Sequence, residues 1–213
     1  MTGKSGDGFF RSKYHMMLAT AYGIWWAIMA INPLDLGDWA LENILVIIVV
    51  IVIWRTYPTL QLSNASYTMI AVFMAFHTLG SHYTYAEVPL GFWISDLFDL
   101  GRNHYDRIIH FSFGLLMFWP LREVAKEIVG TKNRWDDLIG LLFIISMSAI
   151  YEAIEWVVAT IIYPDSEVAI AFLGTQGDVF DAQKDHTLAI TGAIVSFVVV
   201  KWLARMNKLP KPS

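Results

Sequence analysis

The chain has 213 residues, 56% of them hydrophobic and 16% charged, and carries a formal net charge of −4 at pH 7. Soluble domains average about 25% charged residues, so this composition, with a mean hydropathy of +0.49, excludes an ordinary soluble domain and points to an integral membrane protein. The lack of cysteine excludes disulfides, iron–sulfur clusters and thiolate metal sites, and an acidic balance without a basic run excludes a nucleic-acid partner.

Six runs are long enough to cross ~30 Å of hydrocarbon at ~1.5 Å per residue: residues 14–31, 38–54, 65–81, 105–121, 136–162 and 185–204. The first follows Lys4, Arg11 and Lys13. Its apolar stretch is longer than that of a signal peptide and the chain re-enters the membrane at once, so it is expected to be a retained span. The second, "WALENILVIIVVIVIW", is expected to have no deep polar residue and to face lipid. The third ends in "FHTLGSHYTYAE", where Gly80 is expected to break the helix so that His77 and His82 both turn inward.

The fourth run begins "NHYDRIIHFSFG", with Asp106, Arg107 and His110 in its first turns. Charged groups cost roughly 2.5–3.5 kcal/mol each at a bilayer centre, so partners are required. The fifth run contains "SAIYEAIEWVVATIIY", with Glu152 and Glu155 on one helical face, and the sixth opens "GDVFDAQKDHTLAITGA", with Asp178, Asp181, Asp185 and His186. The segments 82–104 and 163–184 carry the apolar pieces "VPLGFWISDLF" and "VAIAFLG". These read as short interfacial or re-entrant helices roofing a cavity. The expected architecture is all-α: one polytopic membrane domain over 1–213, with six transmembrane helices and short helices on the outer face.

Orientation follows from Lys and Arg. An inside N-terminus assigns Lys4, Arg11, Lys13, Arg55, Arg122, Lys126, Lys132, Arg134, Lys201, Arg205, Lys208 and Lys211 to the cytoplasm, leaving Arg102, Arg107 and Lys184 outside. Both termini are therefore expected to be cytoplasmic, with Trp119, Trp135 and Trp202 near the inner interface. In this topology spans three to six deliver their acids and histidines to the outer stratum, while their inner halves are expected to hold almost nothing ionisable.

Six acids near one level, Asp106, Glu152, Glu155, Asp178, Asp181 and Asp185, face only three cations. Structural pairing between helix ends is one reading of this cluster; a functional cavity is the other, and the surplus charge must be absorbed by raised pKa values, by water or by a metal ion. In the functional reading Glu152, Glu155 and Asp106 are the candidate acid–base groups. His77, His82, His110, Asp178, Asp181, Asp185 and His186 are the candidate ligands of a divalent metal (Zn, Mn, Fe, Mg or Ca), because histidine and carboxylate without thiolate suit these ions. Arg102, Arg107 and Lys184 are the candidate binders of an anionic group. Ser81, Ser112 and Ser148 sit in no nucleophile motif, so catalysis would be that of a metal-dependent membrane hydrolase. A proton- or cation-coupled transporter and a non-catalytic accessory protein are the alternatives.

The motifs "HYDRIIHFSFG", "YEAIEW" and "GTQGDVFDAQKDHTLAITGA" resemble the YjdF-like family of uncharacterised bacterial inner-membrane proteins across spans three to six. More distantly the chain is similar to the VanZ-like membrane proteins, some of them linked to teicoplanin resistance. That group's Asp before a His-Phe is matched by Asp106, His110 and Phe111, and its closing Asp and Gly by Asp185 and Gly192. Its acid and Gln three apart stand here as Glu152 and Glu155, and Leu188 and Ala189 leave its Asn unmatched. The resemblance implies a bacterial cytoplasmic-membrane location and a shared outer-face site but supplies no reaction; the acid and histidine cluster itself gives the expectation that the site acts on or binds a lipid or cell-envelope molecule.

Overall fold

The computed structural model describes residues 12–130, 134–164, 166–173 and 175–206. Within them every regular element is a helix: α1 (Lys13–Met29), α2 (Leu36–Thr56), α3 (Asn64–His82), α4 (Pro89–Leu97), α5 (Tyr105–Val124), α6 (Arg134–Val157), α7 (Glu167–Leu173) and α8 (Asp181–Arg205). Wide terminal turns, Ala125–Val129 and Val158–Ile162, extend α5 and α6. Lys4, Arg11, Lys132, Lys208, Lys211, Gly174 and the side chain of Arg134 lie outside the described residues.

Helix starts follow local chemistry. The side chains of Ser12, Asp35 and Ser63 each accept a backbone N–H three residues on, capping α1, α2 and α3. Pro89 occupies the first turn of α4, where its missing N–H costs nothing. Ser166 accepts the Ala169 N–H at 3.1 Å and opens α7. Gly130 ends the extension of α5 with a left-handed φ of 68°.

Leu36–Thr56, Tyr105–Val129, Trp135–Ile162 and Asp181–Arg205 are long and apolar enough to cross a membrane. The first and third apolar runs form shorter helices, of 17 residues in α1 and 19 in α3. α3 buries Ser66, His77, Thr78 and Ser81 among its neighbours, which lowers its apolar character. Consecutive long helices alternate in direction. His15 of α1 bonds Asn64 at the start of α3, whereas the carbonyl of His82 at the end of α3 accepts Leu34 N–H just before α2.

α5 lies at the centre, packed on α3, α6 and α8. Its tightest neighbour is α8, and small residues explain the approach. A Cβ on Gly114 would overlap the Ala189 carbonyl oxygen and lie 2.7 Å from the Ala193 nitrogen. A Cβ on Gly192 would overlap the Phe111 carbonyl oxygen and lie 2.8 Å from the Leu115 nitrogen. Small residues at a helix interface let backbones close in where no hydrophobic force drives them together.

Three expectations are corrected. α2 is not a bare lipid-facing helix: Asp38, Glu42 and Asn43 on one side of it are buried. α3 runs unbroken through Gly80, because the missing Cβ makes room for the Tyr85 ring. The ends of α5, α6 and α8 remote from α4 and α7 do carry ionisable groups. There Asp137 accepts from Arg122 Nε at 2.6 Å and is bridged by Lys201, while Glu123 accepts from Ser66 Oγ at 2.7 Å. These were hidden because each lies at the margin of an apolar run, where sequence alone cannot tell a tethered charge from a solvated one.

Candidate functional site

The loops entering α5 and α8 are clamped together. Asn103 Oδ1 accepts the Tyr105 N–H at 2.9 Å and its Nδ2 donates to Val88 O at 3.0 Å. Gln176 reads the Asn103 backbone in both directions, accepting its N–H at 3.1 Å and donating to its carbonyl at 2.9 Å. Gln176 and Gly177 hold positive φ angles of 48° and 83°, so the "TQGD" stretch is a tight turn that levels the two helix starts. Three polar layers follow below it.

The first layer is an ion-pair cluster. Arg102 Nη1 bonds Asp181 Oδ1 at 2.9 Å and the Thr175 carbonyl at 2.8 Å; Lys184 Nζ bonds Asp178 Oδ2 at 2.6 Å, and Arg107 bonds the same oxygen. Lys184, the Phe180 N–H and Arg107 together hold the Asp178 carboxyl down at about 2. Arg102 Nη2 and Arg107 Nε are buried with no hydrogen-bond partner.

One turn deeper, α5, α6 and α8 meet. His110 Nε2 lies 3.5 Å from Asp106 Oδ1 and 3.6 Å from Glu152 Oε1. One ligand-type atom from each of Asp106, His110 and Asp185 falls within 4.8 Å of the others. Asp185 is 2% exposed, and its Oδ1, like Glu152 Oε1, has no hydrogen-bond partner. The approach depends on the glycines, since Gly114 sits one turn below His110 and Gly192 two turns below Asp185.

The third layer is where α2 enters. Tyr151 Oη–H donates to Glu42 Oε2 at 2.7 Å. His77 Nε2–H donates to the Glu42 carbonyl at 3.1 Å, and its Nδ1 accepts from Tyr85 Oη–H at 2.5 Å. The carbonyl can only accept, so it fixes this tautomer and occupies both ring nitrogens. These groups border a cavity of about 230 Å³ between α2, α3, α5 and α6, which Phe172 and Leu173 of α7 also line. Asp106, His110, Glu155, Glu42 and Tyr151 line its polar end; Phe73, Phe113 and Met117 are among its apolar walls. Ile150 and Ile154 of α6 line it too, yet are 58% and 48% exposed on the outer surface of the bundle. That flank opens sideways.

The residues singled out in the sequence thus divide. Asp106, His110, Glu152 and Asp185 converge, with Glu155 close to Glu152 and lining the cavity. Asp178 and Asp181 instead join Arg102, Arg107 and Lys184 in the ion-pair layer. His77 spends both nitrogens on Glu42 and Tyr85. His82 turns away, donating from Nδ1 to the Met29 carbonyl at 2.8 Å; five residues along a continuous helix set it on another face from His77. His186 lies outside the convergent group, with Nδ1 buried and lacking a partner. Glu42, Tyr85, Asn103, Tyr151 and Gln176 were missed. Glu42 alone had a signal, an i,i+4 partner of Asp38 on a helix otherwise apolar.

Residues 14–206 match the family described as "Predicted membrane protein (DUF2238)". The chain is 35% identical over 180 residues to "Inner membrane protein YjdF" of Escherichia coli (strain K12), covering 83% of this chain and 82% of that protein. No solved structure matches. The chain belongs to this YjdF-like family and, with its long apolar helices, is a multi-pass inner-membrane protein.

Proposed function

We propose that this protein takes an amphipathic lipid or cell-envelope molecule from the bilayer and holds its head at a polar site on the outer face. The observation that carries the reading is the cavity itself. It is apolar along its length, open sideways to lipid beside Ile150 and Ile154, and acidic at the end where Asp106 and His110 stand. At about 230 Å³ it exceeds the ~150 Å³ apolar cavity that accommodates benzene, enough for part of an acyl or prenyl chain. The partnerless nitrogens of Arg102 and Arg107 one layer above suit an anionic head such as a phosphate. Glu152, Glu155 and Asp106 are then placed for acid–base chemistry on the linkage between head and chain.

The reading includes six spans, α1, α2, α3, α5, α6 and α8, with both termini cytoplasmic and α4 and α7 at the outer interface. Packing supports α1 and α3 as spans, because α3 lies between α1 and the central α5. The Lys and Arg asymmetry supports the orientation. One-sided access is favoured over a carrier pathway by the layer beneath the site, where Phe118, Ile144 and Ala193 are each 0% exposed and apolar.

The test is native mass spectrometry of protein released from nanodiscs made with total bacterial lipid. An anionic lipid should remain bound to the wild type and be lost from a Phe113→Trp variant that fills the cavity, while Arg102→Ala should relax the choice of head. Equal lipid retention by the filled variant would overturn the reading.

A further inference from the structure

We infer that Asp106, His110 and Asp185 form a binding site for one divalent transition-metal ion, with the Glu152 carboxylate beside it. The inference stands without the lipid reading, because it rests on the middle layer alone.

Several charges at this end of the bundle already have partners. Arg102, Arg107 and Lys184, the cations at this end of the bundle, are committed to Asp178 and Asp181. Glu42 is held by Tyr151. That leaves Asp106, Glu152 and Asp185, with Glu155 beside Glu152, around a single imidazole. His110 satisfies none of them well: 3.5 Å and 3.6 Å from its Nε2 to Asp106 and Glu152 are at or beyond the limit of a useful hydrogen bond. Asp185 is 2% exposed and points an oxygen with no partner into the same space. A buried carboxylate oxygen without donor or cation is costly, and three helices converge to create this arrangement.

A metal accounts for it. Ligand atoms on opposite sides of an ion with ~2.1 Å bonds lie about 4 Å apart, and neighbouring ones about 3 Å apart. The Asp106, His110 and Asp185 atoms, all within 4.8 Å of one another, reach that spacing by rotamer adjustment within about 1 Å. One imidazole and two carboxylates without thiolate are the donor set of Zn²⁺ or Mn²⁺. The ligands come from a one-turn Asp-x-x-x-His pair on α5 and a single Asp on α8, so binding would cross-link the tightest helix pair of the fold.

The test is calorimetric titration of detergent-purified protein with Zn²⁺ and with Mn²⁺, in parallel with thermal unfolding. The wild type should bind one ion saturably and melt at higher temperature with it. Asp185→Asn and His110→Gln should each weaken binding at least tenfold, while the exposed acid variant Glu87→Gln should not. Absence of saturable binding to the wild type, or undiminished binding by Asp185→Asn, would overturn the site and mark an adventitious ion only. Should the variants not fold, the visible spectrum of Co²⁺-loaded wild type decides. Intense bands of a low-coordinate site support the inference, and the weak spectrum of the hydrated ion rejects it. Lipid retention is read separately, so failure of one result leaves the other standing.

Discussion

Substituting Gly114 by alanine adds one methyl group where α5 meets α8, and the structure gives it no room. The new Cβ would overlap the Ala189 carbonyl oxygen and lie 2.7 Å from the Ala193 nitrogen, both of them backbone atoms. Neither atom can rotate away, so the helices must part by about 1.5 Å to recover van der Waals spacing. Overpacking of this kind costs roughly 1–3 kcal/mol. For a chain of this length each kcal/mol lowers the melting temperature by about 2–4 °C, so a fall of about 2–12 °C is expected.

Gly192→Ala meets Phe111 and Leu115 in the same way and should cost a similar amount. The double variant supplies the sharper test. Once one methyl has separated the helices the second is partly accommodated, so the combined loss should fall short of the sum by about 0.5 kcal/mol or more. Gly23→Ala in α1 is the control, since a Cβ there meets nothing within 4 Å and a helical Gly-to-Ala change is worth about 0.5–1 kcal/mol in the stabilising direction. Thermal unfolding in detergent, followed by tryptophan fluorescence, reads all four variants. A Gly114→Ala protein as stable as the wild type, or strict additivity in the double variant, would refute the close α5–α8 contact on which the site depends.

Tyr151→Phe removes the donor to Glu42 Oε2 at 2.7 Å, leaving a buried acceptor unmet at a cost of about 1–3 kcal/mol; an unchanged melting temperature would disprove that bond. At the opposite end Asp137→Asn should destabilise by about 1.5–3 kcal/mol, because it removes the charged acceptor of Arg122, which keeps only Asp136 at 4.0 Å. Lys201→Ala should cost no more than about 1 kcal/mol, since Lys201 is 42% exposed and Arg122 still holds the carboxylate; the reverse order in unfolding measurements would refute this assignment. The Asp178 carboxyl is depressed from 3.8 to about 2. Its contribution to stability is therefore complete above pH 3.8, falls as pH drops through about 2, and should be absent from Asp178→Asn melting curves across that window.

Much of the site was legible because charge in an apolar run is a strong signal. Asp106, His110, Glu152 and Asp185 could be placed at one level from helical rise alone, and the structure brings them together. What could not be read was which acid faces which cation. Asp178 and Asp181 share the periodicity of Asp185, but the turn at Gln176 and Gly177 starts α8 at Asp181 and leaves Asp178 outside the helix. That geometry turns the first two toward arginines while the third points at His110. Tyr85 and Tyr151 were invisible for another reason: a tyrosine in an apolar segment reads as packing until a buried acceptor is found at its hydroxyl. Glu42 went unread because acids at the start of a long valine and isoleucine run, here Asp38 and Glu42, look interfacial. Only the packing of α2 on α3 and α7 shows that it faces inward.

Register, more than hydropathy, marks these layers as those of a membrane fold. On α5, Asp106 and Arg122 are 16 positions apart; on α8, Asp185 and Lys201 are again 16 apart; on α6, Asp137 and Glu152 are 15 apart. At ~1.5 Å per residue each interval is about 22–24 Å, and the three helices carry it in alternating directions. Each polar residue finds its partners at its own level: Arg122, Asp137 and Lys201 with one another, and His110 among Asp106, Glu152 and Asp185. A soluble bundle has no reason to confine its buried charges to two planes. A bilayer does, because an unpaired charge between those planes has no water to turn to. The two planes nevertheless differ in kind. In the one with Asp137 the carboxylate is met by both Arg122 and Lys201, whereas the one with His110 is left acidic and beside an apolar cavity. That imbalance, and not the mere presence of charge, is what supports placing the proposed site at this end of the bundle.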